Sequence, residues 1–311
     1  LTLPTVLAFG GNALLPDPNN PETQESRAEA FARALLMVMP KKAGMVLLHG
    51  NGPQVGMILL RIEATRDQIP PESLDVLVAE TQGSIGYLLS KALRNAMVNQ
   101  KVDLEVATIM TQVVVDEFDQ GFKCPCKPVG PFYSSEKASL LREKYGWDMV
   151  SVPKKGWRRV VPSPRPKDVV EMHTIKDAVR HGHMVIAGGG GGIPVVRNER
   201  GHLNGVVAVI DKDLTAALLA VRLNAAQLVI LTDVPHVSVN FGTSEEKPIS
   251  FMDVSTAKKL LQEGQFPPGT MGPKVEAATD FSRSLGRVAF ITDVDHLAET
   301  LKGKSGTTIV P

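Results

Sequence analysis

Short aliphatic and β-branched runs, each ending in glycine or a polar residue and each followed by a segment of helical period, recur along this chain. That alternation is the signature of a parallel sheet covered by helices, and it predicts an α/β fold. The predicted strands cover residues 6–9, 45–49, 106–115, 184–187, 206–210, 228–232 and 288–292. Their near-continuous apolarity predicts burial on both faces of the sheet.

Between them, Ala28, Phe31, Leu35 and Met39 form one stripe of a first helix, and Pro53 sits where a second helix begins. Residues 71–98 are long enough for two helices, or for one bent at Gly83 and Gly86. The stretch "DLTAALLAVRLN" reads as a helix opened by an Asp cap at Asp213. No repeat of solenoid period is visible. Residues 118–166 break the pattern: they are rich in proline and hold both cysteines and both tryptophans, as expected of an inserted, lid-like subdomain that projects from the sheet.

Composition narrows the partners. With 34 basic and 33 acidic side chains the formal charge is +1, so no overall field argues for nucleic acid or an anionic membrane. No segment has the length of an apolar membrane span, and the first residues read as a strand and not as a signal peptide. Cys124 and Cys126 are too few and too close for a disulfide framework, which points to a reducing, cytoplasmic setting.

The chemistry concentrates where strands end. Four glycine-rich turns follow predicted strands: "AFGGNALL", "LLHGNGPQVG", the five-glycine run "VIAGGGGGIPVV" and "PPGTMGPKVEAA". Each glycine costs backbone entropy, so the run needs a motive, and backbone N–H groups approaching an anion supply one. Ordinary turn geometry is the plainer alternative for any single one of these turns. Two familiar phosphate motifs do not match in full, leaving a Rossmann oxidoreductase only as an alternative reading. Gly303 to Ser305 resemble the end of a P-loop, but Ala298 stands where its first glycine belongs, and the run fails the dinucleotide fingerprint because Ile193 occupies the third glycine position.

Three lysines are candidates to neutralise a phosphoryl group in flight: Lys212, between Asp211 and Asp213, with a surface ion pair as the plainer alternative; Lys274, at a predicted helix start, with a solvated helix residue as the alternative; and Lys127, in the insert, whose role its local sequence does not assign. His181 and His183 lack the third ligand and spacing of a metal site.

Taken together, "AFGGNALL", "HGNGPQVG", "QGSIGYLLSKAL", "KPVGPFY", "GWRRVVPSPRP", "GGGGGIPV", "VAVIDKDLTAALLA", "LTDV", "GTMGPKVEAA" and "GTTIV" resemble the carbamate kinases of the amino-acid-kinase superfamily, over essentially the whole chain. The resemblance implies a three-layer α/β/α sandwich with an open, mainly parallel central sheet, in a single domain spanning 1–311. A carbamate-binding half would cover 1–205, with the insert at 118–166, and a nucleotide-binding half 206–311.

It further implies reversible transfer between ATP and carbamate, usually run from carbamoyl phosphate and ADP toward ATP in arginine catabolism, with magnesium accompanying the nucleotide and a homodimeric assembly. Residue by residue, Gly10, Gly11, Asn12, Gly50, Asn51, Gly52, Gly188, Gly189, Gly190 and Gly191 would cradle carbamate and the phosphoryl group. Lys127, Lys212 and Lys274 would neutralise charge, and Asp213 would orient the lysines. Asp233, Met271, Gly272, Pro273, Lys212 and Lys274 would contact nucleotide. Sister kinases carry a lysine two residues before the first Gly-Gly where this chain has Ala8, so by resemblance Lys127 takes over that charge. Another kinase of the superfamily, or a silent nucleotide sensor, are the rival readings.

Overall fold

The computed structural model describes residues 2–14, 23–38 and 44–311, with the side chains of Asn12 and Ala13 outside the description. Its centre is an eight-stranded sheet in the order Phe251–Asp253, Thr307–Val310, Ala289–Thr292, Gln227–Leu231, Thr5–Phe9, Met45–His49, Met184–Ile186 and Val106–Thr108. All neighbours pair in parallel except Ala289–Thr292 with Thr307–Val310. The α/β fold and the mainly parallel sheet expected from the sequence are thus present.

Side chains alternate between the two faces of the strand Thr5–Phe9 and sort into two cores. Val6 and Ala8 join a cluster with Ala216, Leu219, Val275 and Phe281, whereas Leu7 and Phe9 join one with Phe31, Leu35, Leu89 and Leu93. The helices Lys212–Arg222 and Met271–Leu285 therefore cover one face, and Gln24–Val38 and Leu74–Gln100 the other. Removing each such Leu, Val or Phe from water contributes roughly 1.5–3 kcal/mol. Of the predicted stripe on the first helix, Ala28, Phe31 and Leu35 are buried, and Met39 lies outside the described residues.

Several boundaries differ from the sequence reading, each for a local reason. The run 106–115 is two strands in two sheets, Val106–Thr108 and Gln112–Val115, because the chain turns at Thr111, whose hydroxyl donates to Ile109 O. Residues 206–210 form no ladder: Val206 N–H donates to Pro194 O and Val209 N–H to Pro162 O, single bonds to different neighbours. Residues 74–100 are one unbroken helix. There Gly86 serves approach and not bending, since a Cβ would lie 2.4 Å from Thr108 Cγ2. The helix after "VAVI" begins two residues earlier than read, with Asp211 and not Asp213 as its cap.

Within 118–166 a separate three-stranded sheet runs Lys127–Tyr133, Gly156–Val161, Met149–Val152, with the helix Ser135–Tyr145 packed on it. Pro128 and Pro131 are tolerated because Lys127–Tyr133 is an edge strand, with a bulge between Val129 and Phe132. This edge strand also packs through Val129 against Val55, Ile58 and Leu59 of the helix Gly52–Thr65. The insert's first strand is thereby laid beside the carboxyl ends of the central strands.

Candidate functional site

Four adjacent parallel strands, Gln227–Leu231, Thr5–Phe9, Met45–His49 and Met184–Ile186, finish at the same edge of the sheet. The segments that leave them border one cleft of about 570 Å³. Gly10 comes from the first turn, Gly50, Asn51 and Gly52 from the second, Gly190 from the five-glycine run, and Thr232 and Asp233 follow Leu231. Parallel sheets place ligands at this edge, where unpaired backbone groups meet helix N-termini.

The three lysines arrive from three elements and meet two carboxylates. Lys127 starts the edge strand of the insert, and its Nζ lies 2.7 Å from Asp211 Oδ2. Lys212 Nζ lies 2.6 Å from Asp213 Oδ1, and Lys274 Nζ, from the first turn of Met271–Leu285, lies 2.8 Å from Asp213 Oδ2. All five groups border the cleft. Three cations against two carboxylates leave an excess of positive charge at its wall, which is what an incoming polyphosphate requires.

Asp211 does two tasks. Its Oδ1 accepts the Asp213 N–H at 2.9 Å, capping the helix Lys212–Arg222, while its Oδ2 accepts from Lys127. Burial by itself would raise the Asp213 carboxyl, but the Lys212 and Lys274 ammonium groups outweigh it and hold that pKa down at about 2. Burial pulls Lys212 below the ordinary lysine range, with Lys274 adding to the effect against Asp213. Lys274 is buried too, yet Asp213 more than offsets that and raises it. Asp213 is thus locked as an anion that orients two cations and has no proton to exchange near neutrality.

The five glycines have more than one reason to be bare. Positive φ at Gly188, Gly190, Gly191 and Gly192 already favours glycine. Added Cβ atoms would also lie 2.3 Å from His49 Nε2 at Gly189, 2.2 Å from Asn51 Nδ2 at Gly190 and 2.1 Å from Ile210 O at Gly191. Gly188 N–H donates to Thr111 Oγ1, Gly191 N–H to Gly188 O and Gly192 N–H to Gly189 O. Of the donors assigned to 188–191 as a group, at most those of Gly189 and Gly190 face a ligand, because the others are used inside the turn. Only Gly190 among the five borders the cleft.

Other expected residues stand behind the wall. A Cβ at Gly50 would lie 2.4 Å from Gly11 N, so Gly11 is where the first turn packs on the second. Met271 borders the cleft, while Gly272 and Pro273 lie in the helix turn beneath it, with Gly272 N–H donating to Pro267 O at 3.0 Å. Asn12 falls among the residues whose side chains lie outside the description.

Sequence reasoning missed Asp211 as a partner for Lys127, although its place just before a helical run marks a cap. It also missed His49, Thr81, Gln82 and Thr111; His49 and Gln82 open the motifs "HGNGPQVG" and "QGSIGYLLSKAL", but neither motif says what its first side chain touches. His49 is buried, and burial pushes its pKa down to about 4 against the opposing pull of Gly50 O, 3.0 Å from Nδ1. A carbonyl only accepts, so the proton sits on Nδ1.

Residues 4–293 match the sequence profile of the amino acid kinase family. A carbamate kinase of Thermococcus kodakarensis is 44% identical over 311 residues, covering 98% of both chains. One from Pyrococcus horikoshii is 43% identical over 310 residues, with the same coverage. Among solved structures, carbamate kinase from Giardia lamblia bound to AMP-PNP superposes with a TM-score of 0.91 at 38% identity, over 99% of this chain and 98% of that one.

Proposed function

The chain belongs to the carbamate kinases, within the amino acid kinase family, and we propose that it catalyses reversible phosphoryl transfer between carbamoyl phosphate and ADP, giving carbamate and ATP. The observation that carries the reading is the convergence of Lys127, Lys212 and Lys274 on Asp211 and Asp213 beside Gly10, Gly50 and Gly190. In the ATP-forming direction a β-phosphate oxygen of ADP attacks phosphorus while the bond to the carbamate oxygen breaks. Carbamate leaves as an anion, so no general acid is needed. Direct in-line transfer of this kind needs no covalent intermediate on the enzyme.

Each chain residue then has a task. Backbone at Gly10, Gly50 and Gly52, with Asn12 and Asn51, holds carbamate and phosphoryl oxygens, joined by the glycine run at Gly190, while Gly11 and Gly189 seat those turns from behind. The three ammonium groups lie against the oxygens that gain charge. At ~4 Å and an effective dielectric near 20, one such cation is worth roughly 4 kcal/mol before desolvation. Asp213 and Asp211 aim them. Asp233, Met271 and the segment through Lys274 take the nucleotide, which places it over residues 206–311 and the acceptor over 1–205. Magnesium would arrive with the nucleotide phosphates and would supply positive charge to offset theirs. Among the described residues no three His, Cys, Asp or Glu side chains group as a metal cage, and Mg²⁺ bound through phosphates and one or two carboxylates asks for none. Asp233 at the cleft is an oxygen donor suited to it.

The resemblance also supports a homodimer, a cytoplasmic setting and net flow toward ATP. No helix among the described residues is long and apolar enough to cross a membrane.

The test is a coupled assay for ATP from ADP, Mg²⁺ and carbamoyl phosphate, run beside acetyl phosphate and acyl phosphates of amino acids. ATP formed from carbamoyl phosphate is expected; its absence, or preference for another donor, overturns the reading. Lys127→Ala is expected to lose at least a hundredfold in kcat, with the ADP KM moved less than threefold.

A further inference from the structure

Beneath the cleft lies a buried polar group that the phosphoryl chemistry does not touch. Its centre is two adjacent residues, Thr81 and Gln82, in the helix Leu74–Gln100, both almost inaccessible to water. Thr81 Oγ1 donates to Val78 O at 2.8 Å and accepts from Asn51 Nδ2 at 2.9 Å. Gln82 uses its whole amide: Nε2 donates to Gly189 O at 2.9 Å and to Thr111 O at 3.1 Å, and Oε1 accepts the Thr111 N–H at 2.7 Å. Thr111 in turn accepts the Gly188 N–H at 2.9 Å.

Neighbouring residues of a helix point about 100° apart, so one turn of this helix addresses two strand ends at once. Thr81 reaches the turn that follows Met45–His49, and Gln82 reaches the run that follows Met184–Ile186. Those two strands are direct neighbours, and their turns touch where the Asn51 amide lies against Gly190. A buried amide with every bond made resists displacement, because any shift leaves polar groups unpaired.

We propose that Thr81 and Gln82 are positioning residues that fix how the 50–52 turn seats against the glycine run, and so the shape of the cleft wall that Asn51 and Gly190 form together. They act through Asn51 and Gly189, without touching substrate. The kinetic part of the proposal rests on the carbamate kinase reading; the structural part does not.

Three variants and two measurements test it. Thr81→Val keeps shape and removes the bond to Asn51, while Thr81→Ser retains the hydroxyl. Gln82→Met keeps length and removes all three bonds. With carbamoyl phosphate and ADP, kcat is expected to fall at least tenfold in Thr81→Val and at least thirtyfold in Gln82→Met, with the ADP KM within twofold of wild type and Thr81→Ser within twofold throughout. Hydrogen exchange in Gln82→Met is expected to rise at least tenfold at residues 188–192 while the strand Thr5–Phe9 stays protected. Failure of Thr81→Ser to rescue, an ADP KM rising in step with the loss of kcat, or exchange rising uniformly would overturn the proposal. A wild-type protein that makes no ATP, together with the localised exchange change, would sink the carbamate kinase reading and support the positioning role.

Discussion

Glycines that look alike in the sequence divide sharply once their neighbours are known. Gly10 borders the cleft with nothing within 4 Å of an added Cβ, whereas at Gly191 a Cβ would lie 2.1 Å from Ile210 O at φ +94°. Gly10→Ala is therefore expected to melt within about 2 °C of wild type and to lose activity by an order of magnitude or more, by crowding the ligand. Gly191→Ala is expected to lose stability outright, by several kcal/mol, since a backbone carbonyl must move and a positive φ must be held by a side chain that disfavours it. Thermal melts alongside turnover distinguish the two. His49 makes a second prediction at this scale. Its pKa is about 4 in the folded chain against the ordinary 6.5, so between those values the unfolded chain binds a proton that the folded one refuses. Stability must then fall as pH drops from 6.5 to 4, by about 3 kcal/mol in total. Asp213 adds nothing in that window, because its depressed pKa costs stability only as pH falls from 3.8 toward 2. Urea unfolding at intervals from pH 7 to 4.5 should show the decline, and His49→Gln should remove that share of the slope whatever its stability at neutrality.

At the scale of elements, the helix Lys212–Arg222 joins folding to chemistry through one carboxylate. Asp211 caps its N-terminus and holds Lys127 at the same time. Asparagine caps as well as aspartate but carries no charge. Asp211→Asn is thus expected to change stability by less than about 0.5 kcal/mol while lowering kcat about tenfold, and Asp211→Ala to lose about 1 kcal/mol in addition. Equal melting temperatures for Asn and Ala would show that the cap contributes nothing. Unchanged turnover in Asp211→Asn would show that substrate alone positions Lys127. The edge strand Lys127–Tyr133 has the complementary character: its prolines and its bulge keep it from pairing on both sides, which leaves its first residue directed at the cleft.

For the molecule as a whole, the question is how a lysine from the insert stays registered with two from the C-terminal portion. The insert is tied to the helix Gly52–Thr65 by Val129 packing on Val55, Ile58 and Leu59, and by Tyr133 Oη donating to Glu63 Oε1. Around that bond, Arg66 lies 4.3 Å from the Tyr145 ring centroid and Arg159 4.3 Å from that of Trp147. Burial raises the Tyr133 hydroxyl well above the ordinary tyrosine range, with Glu63 adding to it, so it remains a donor at any working pH. At the insert's base, Arg165 reaches Glu276 and Asp280 on the helix that also bears Lys274, linking the two lysine-bearing parts. Tyr133→Phe is expected to leave the global melt within about 3 °C, to speed limited proteolysis within 118–166 and to lower kcat/KM for carbamoyl phosphate three- to tenfold. Cleavage at the wild-type rate would place the holding energy in the apolar contact and not in the hydroxyl.

Local pattern alone marked six of the eight strands of the central sheet and the helices on its faces, because apolar runs buried on both faces leave a periodicity that needs no partner to be read; it missed the edge strands Phe251–Asp253 and Thr307–Val310, which are short and flanked by polar residues. The lysine roles were legible through motif resemblance, and Lys127 above all came that way, since nothing within the insert says where it points. What only the tertiary structure decided is pairing at long range: Lys127 with Asp211, Gln82 with Gly189, Asn51 with Thr81. The same holds for the split of 106–115 between two sheets, where one apolar run satisfies two different ladders and only neighbours tell them apart. The glycine run shows both levels together. Its composition announces a need for bare backbone, but whether that bareness admits a ligand or admits His49, Asn51 and Ile210 depends on atoms more than a hundred residues away or just across the turn. Close packing, and not local propensity, makes that choice.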